Sequence, residues 1–205
     1  FRWRFPDRTV AIERRNAILR GVLQPMALDL RKNQDGFTPM LEAGGSAAIL
    51  DRYSRELNGA ETLEEHAGHE AWREIRQFTP LWLLTHPDGA VVRISTVLSE
   101  VGAVLDSLPA PAIARAANGV CYGYFSDAAR ASEWFTAHRE ARGVIEYAPR
   151  NFREVHEGWR LPGSEFSIMK KIKSSCYIEF PLTRGRLYGR IGPSAGAGCR
   201  TGACG

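Results

Sequence analysis

Short strand-length apolar runs alternate with amphipathic helices twice along the chain, and this limits the fold more than any single motif does. Phe1 to Phe5 alternates aromatic residues with Arg, the period of a half-buried strand, and Pro6-Asp7 closes it. A helix is expected from about Thr9 to Leu23, with Val10, Ala17, Ile18 and Val22 on neighbouring turns and Arg14, Arg15 and Arg20 free to face water. Pro25 stops it. Met26, Leu28 and Leu30 mark a second strand, Asn33 to Gly36 a turn, and Phe37 to Glu42 a third strand. Gly44-Gly45-Ser46 opens a helix through about Leu57 with Ala48, Leu50 and Tyr53 inward, and an acidic helix from about Thr62 to Gln77 carries Leu63, Trp72 and Ile75.

The second half repeats the style. Val91 to Ser95 reads as a strand, and Thr96 is placed to cap a helix with Leu98, Val101, Leu105 and Leu108 on one face. Ile113 to Ala117 and Val120 to Phe125 read as strands joined at Gly119. Ser126 or Asp127 caps a helix to about Glu140, Val144 to Tyr147 is a further strand, and Asn151 to Gly163 reads as loop. Ser164 opens a last helix, with Phe166, Met169 and Ile172 inward and Lys170, Lys171 and Lys173 toward its C-terminal end, where the helix dipole favours cations. The expected fold is α+β: a ferredoxin-like plait or pair of plaits, with an antiparallel sheet and helices packed on one face.

Composition narrows the function classes. A chain of 205 residues can bury a sizeable core. Its longest apolar stretches, such as Pro80 to Leu84, fall far short of the roughly 20 residues of a membrane-spanning helix. The net charge of +4 is interspersed rather than gathered on one face, which argues against a nucleic-acid binder. Cys121, Cys176, Cys199 and Cys204 form no Cys-x-x-Cys pair, so neither a zinc site nor a disulfide framework is expected, and a reducing cytoplasm fits. Phe1 reads as the middle of an element, so residues 1–191 are expected to be one part of a longer protein. The Gly-rich stretch 192–205 is expected to be a disordered tail.

Few residues carry chemistry. His66 and His69 lie three apart on a helix, a spacing that metal ligands use and that a solvated polar face also shows. Asp127 with His138 or His156 has no nucleophile elbow between a strand and a helix to complete a hydrolase triad. No glycine-rich phosphate loop is present. Arg93 stands inside the apolar run Val91-Val92-Arg93-Ile94-Ser95. A guanidinium on a sheet face could hold a small organic acid in two-pronged fashion, or simply face water at an edge. Tyr122 and Tyr124 share one face of their strand, as pocket-lining or amphipathic core residues would.

The run Phe166-Ser-Ile-Met-Lys-Lys-Ile-Lys173, followed further on by Gly185-Arg186-Leu187-Tyr188, resembles the C-terminal signature of FAD-linked oxidases. Within that family the likeness is to the FAD-binding subunit of the glycolate oxidase complex. Thr183 and Arg184 stand where Asn and Pro are usual. Val92-Arg93-Ile94-Ser95, Gln24 to Asp29 and Leu41 to Ser46 are similar to the family more loosely. The resemblance implies a substrate-side domain that caps the flavin ring, with the N-terminal FAD-binding domain missing from this sequence. It implies oxidation of a 2-hydroxy acid, glycolate, by hydride transfer to FAD, the cofactor supplying the redox chemistry. It places Arg93 on the substrate carboxylate, Tyr122 and Tyr124 along the pocket, and Gly185, Arg186 and Tyr188 toward the cofactor. It assigns no catalytic residue and no metal ligand. The implied partners are a catalytic flavin subunit and an iron–sulfur subunit, in the cytoplasm and peripheral to the inner membrane through those partners. A non-catalytic assembly subunit and a small-molecule-binding plait unrelated to flavin stay open beside it.

Overall fold

The structure, a computed structural model, describes residues 1–156, residue 158 and the helix Glu165–Cys176. The chain divides into a unit Phe1–Gly158 and a unit Trp159–Gly205.

The first unit is built in the order α1 (Arg8–Arg20), β1 (Ala27–Asn33), β2 (Gly36–Glu42), α2 (Ala47–Glu56), α3 (Glu65–Thr85), β3 (Ala90–Ser95), α4 (Val101–Ser107) after a short 3-10 turn, β4 (Ala112–Arg115), β5 (Val120–Phe125), α5 (Ala128–Ala137), β6 (Gly143–Tyr147) and α6 (Arg150–Val155). The six strands form one sheet in the order β2-β1-β4-β5-β3-β6, antiparallel at every pairing. The expected α+β class with an antiparallel sheet is what the chain adopts. In β3-α4-β4-β5-α5-β6 each crossover pair is split by a strand of the other: β5 lies between β3 and β4, and β3 between β5 and β6.

Alternation along the strands divides the apolar residues between two faces. Leu28, Leu30, Val92, Ile94, Ala112, Ala114, Cys121 and Phe125 point one way, into the main core with Ala11 and Ile18 of α1, Val101 and Leu105 of α4, and Ala131, Trp134 and Phe135 of α5. Each large apolar side chain buried there contributes about 1.5–3 kcal/mol. Asp7 caps α1 by accepting from the N–H groups of Thr9 (2.6 Å) and Val10 (3.2 Å), and Asp127 caps α5 by accepting from Ala129 (2.6 Å).

Among the described residues the opposite face is covered too, chiefly by α3. Met40 packs with Ala71, Trp72 and Ile75, and Val91, Ile113 and Tyr124 pack with Trp82. Pro80 lies inside this helix, which continues to Thr85 rather than ending near Gln77. The apolar run Pro80 to Leu84 is therefore its last turns. The tertiary contacts of Trp82 outweigh the ladder bond that Pro80 cannot make.

Other expectations are corrected. Phe1 to Phe5 forms no continuous strand: it follows β2 through isolated bridges at Arg2 and Phe5 and through backbone bonds such as Trp3 N–H to the Pro39 carbonyl (3.1 Å) and Leu41 N–H to the Phe1 carbonyl (2.9 Å), with the Trp3 ring buried. Arg15 does not face water: it is 1% exposed, donating to the carbonyls of Ala116 (3.0 Å) and Leu98 (2.8 Å) and to Asn16 (2.9 Å). Leu50 is exposed and Tyr53 alone is buried in α2. The cap position before the 3-10 turn is Val97, while Thr96 donates to the Glu100 carboxylate (2.7 Å). Residues 150–155 are helical, not loop.

The second unit is described only through α7, Glu165–Cys176. Ile168, Met169 and Ile172 on it are exposed, where Met169 and Ile172 were expected inward. The stretch 192–205 lies outside the described residues. No described helix is long and apolar enough to cross a membrane.

Candidate functional site

The face under α3 carries an unusual share of polar side chains for a covered sheet. Cross-strand pairing sets Arg31, Ile113, Tyr122, Arg93 and Val144 in one row across β1, β4, β5, β3 and β6. Asp29 and Arg115 sit opposite each other one step away. Period-two alternation places Tyr124 on this face with Tyr122. At the sheet edge the pairing of β3 with β6 slips between Val91 and Val92, so that Val91 faces Tyr147 and Val92 faces Ile145. Alternation from Val144 puts Glu146 on the α3 side, and the bulge turns Tyr147 to that side as well.

Between α3 and these strands runs a cleft of about 350 Å³. Its helix wall is Ile75, Arg76, Thr79, Pro80 and Leu83, and its sheet wall includes Arg115, Tyr122, Tyr124, Glu146 and Tyr147. Pro80 has no N–H, so the Arg76 carbonyl loses its usual helical donor on the cleft side of α3. A larger groove, about 800 Å³, lies on the opposite face between α4 and α5. Its Trp134 already donates to the Ser107 carbonyl (2.8 Å).

The electrostatics converge on Tyr122. Burial is the main cause that raises its phenol above the usual value, the Glu146 carboxylate adds to this, and Arg115 and Arg93 pull the other way. Tyr124 is pushed up to about 12, first by burial, with the Thr79 hydrogen bond (2.8 Å) opposing. Asp29 is 3% exposed and pairs with the Arg115 guanidinium. Burial outweighs that pairing and holds its carboxyl above the ordinary value. Arg93 Nε stands 3.7 Å from Glu146 Oε2, each side chain about one third exposed. On the far flank of α3, Arg31 stacks over the Phe78 ring at 4.8 Å, with its Nε buried and without a partner.

The structure thus places Arg93, Tyr122 and Tyr124 on one face, the tyrosines in the cleft and Arg93 beside it. Gly185, Arg186 and Tyr188 lie outside the described residues. Asp127 and His138 cap opposite ends of α5 and cannot form a triad. His66 and His69 are exposed on α3, and no group of three metal-ligating side chains occurs among the described residues. Asp29, Arg76, Arg115 and Glu146 were not singled out in the sequence. Asp29 and Arg115 carried the signal of polar residues alternating with apolar ones in strands. Glu146 alternates with Ile145 onto the α3 face, but nothing in the sequence says which face of β6 borders the cleft.

Comparison with protein-family models, with curated proteins and with solved structures finds no match for this chain.

Proposed function

We propose that this chain is the substrate-side part of a flavin-dependent oxidoreductase acting on a 2-hydroxy acid, glycolate by resemblance. The observation that supports it is the gathering of Arg93, Arg115, Tyr122, Tyr124 and Glu146 on one sheet face beside a cleft. The split β-α-β connectivity of residues 90–147 is the kind a ferredoxin-like cap requires. Arg93, Tyr122 and Tyr124 are side chains that would suit the substrate side of a flavin site, and the sequence holds no glycine-rich phosphate loop that would take the ADP half of FAD. FAD, when bound by the rest of the enzyme, would accept the hydride. This chain's residues would hold the substrate carboxylate with a guanidinium, hydrogen-bond its hydroxyl through Tyr122, and exclude water with α3. The partners in this reading are a catalytic flavin subunit and an iron–sulfur subunit. The test is the visible spectrum of the natural full-length protein: a flavin band that glycolate bleaches, with a raised KM in Tyr122→Phe, is expected. A full-length protein that purifies without flavin overturns the proposal.

A second reading, a small-molecule-binding domain that works without flavin, is favoured by one observation: among the described residues the cleft is lined by α3, β4, β5 and β6 of the unit Phe1–Gly158. Organic-acid binding by a protein that never carries flavin would select it.

A further inference from the structure

We infer that the cleft beside α3 takes a carboxylate bearing a bulky apolar side chain, with Arg76 and Arg115 as its anion-binding pair. This deepens the proposed function and rests on its placing of the substrate at this face.

Three observations carry it. The first is which cations are available. Arg93 is already opposed by Glu146 at 3.7 Å. Arg115, on the sheet wall, is held from one side by Asp29 through Nη1, and its other N–H groups have no partner among the described residues. A guanidinium fixed by one carboxylate and open elsewhere is prepared to bind another. Arg76, on the helix wall, makes no ion pair or hydrogen bond with the described residues. Asp29 is matched by Arg115 and Glu146 by Arg93, so Arg76 leaves the cleft one positive charge in excess.

The second is size. A water occupies about 30 Å³ of liquid, so a cleft of about 350 Å³ corresponds to roughly a dozen waters. A two-carbon acid would displace only a few of them.

The third is the lining. Ile75, Pro80, Leu83 and Ile113 form an apolar wall, and the Tyr122 and Tyr124 rings adjoin it. Each methylene added to a ligand against that wall is expected to tighten binding about fourfold, so an aryl or branched side chain gains far more there than glycolate can. The ligand class is a 2-hydroxy or related carboxylate with its charge between Arg76 and Arg115 and its side chain along the helix wall.

The full chain, without flavin, is titrated by calorimetry with 3-phenyllactate, with glycolate and with the uncharged 3-phenylpropane-1,2-diol. Phenyllactate is expected to bind at least tenfold more tightly than either. Arg76→Ala, at an exposed helix position, should keep the circular dichroism of the wild type and weaken phenyllactate at least tenfold. Arg115→Ala is a poorer probe because it strands buried Asp29. Equal or tighter glycolate binding, failure of phenyllactate to bind, or loss of binding in Arg93→Ala but not in Arg76→Ala each overturns the inference. Failure of the flavin reading looks different: phenyllactate binds through Arg76 while the full-length protein carries no flavin.

Discussion

Thr79 Oγ1 and Tyr124 Oη lie 2.8 Å apart, and this hydrogen bond fastens the middle of α3 to the polar face of the sheet. The Tyr124 ring is buried against Phe78, edge-on at 4.8 Å, and Trp82, tilted at 5.5 Å. Tyr124→Phe is therefore expected to cost about 1–2 kcal/mol, from the lost bond and the Thr79 hydroxyl left behind, read as a lower urea midpoint. The pH dependence has a definite sign. The folded phenol, at about 12, lies above its ordinary value of 10.0. Its contribution is whole below pH 10 and falls as pH climbs toward 12. The variant lacks that decline. Stability curves of wild type and Tyr124→Phe that stay parallel across this window would show that Tyr124 is not buried as described.

Lys32 closes the end of α4 from the neighbouring strand. Its ammonium donates to the carbonyls of Leu105 (2.9 Å), Asp106 (3.1 Å) and Leu108 (2.7 Å), groups that a helix C-terminus leaves without partners. Lys32→Met keeps the stem and removes the charge. We expect a loss of about 1–3 kcal/mol and faster amide exchange in Val101–Ser107. Unchanged stability would mean that water satisfies these carbonyls equally well.

Asp29 gives the opposite slope from an ordinary salt-bridged carboxylate. Its folded value is raised above 3.8 by burial, despite Arg115, so its charged form is the costly one. Its contribution is greatest below the unfolded value and declines as pH rises through the folded one. Asp29→Asn should remove this decline. The stability difference, variant minus wild type, should then grow in the variant's favour as pH rises from about 4 toward neutrality. A difference that moves the other way would show that the Arg115 pairing outweighs burial.

Much of the scaffold was legible because periodicity reports burial. Val91 to Ser95, Val120 to Phe125 and the cap at Asp127 fall where the pattern puts them. The misses have a common physical cause: long-range contacts reverse local signals. The acidic helix was expected to end near Gln77, yet the packing of Trp82 on Val91 and Tyr124 carries α3 through Pro80 to Thr85. Arg15 reads as a solvent-facing charge, yet the Ala116 and Leu98 carbonyls, brought near only by the fold, hold it inside. At the site, Tyr122, Tyr124 and Arg93 were legible as polar or aromatic positions on one strand face. Arg76 and Glu146 were not, because one reaches the cleft by the crossing of α3 and the other by the pairing of edge strand β6 with β3, both set by the tertiary fold.

Gly119 sets the register that brings Arg115 level with Val120 and Ile113 level with Tyr122. Its φ is +78°, and a Cβ there would stand 2.1 Å from the Thr96 carbonyl oxygen. The two segments are also joined by the Thr96 N–H donating to the Gly119 carbonyl at 2.9 Å, so neither can retreat freely. Gly59 offers an internal standard: its φ is +72°, with nothing within 4 Å of the same added atom. Gly59→Ala should cost only the left-handed backbone strain, about 1 kcal/mol. Gly119→Ala adds the backbone clash and should cost about 2–4 kcal/mol in all. Because the clash pushes β4 and β5 out of register, Gly119→Ala should also weaken ligand binding in the α3 cleft, whereas Gly59→Ala should not. Equal costs for the two variants would show that the turn has room to relax and that Gly119 does not fix the register of Arg115 and Tyr122.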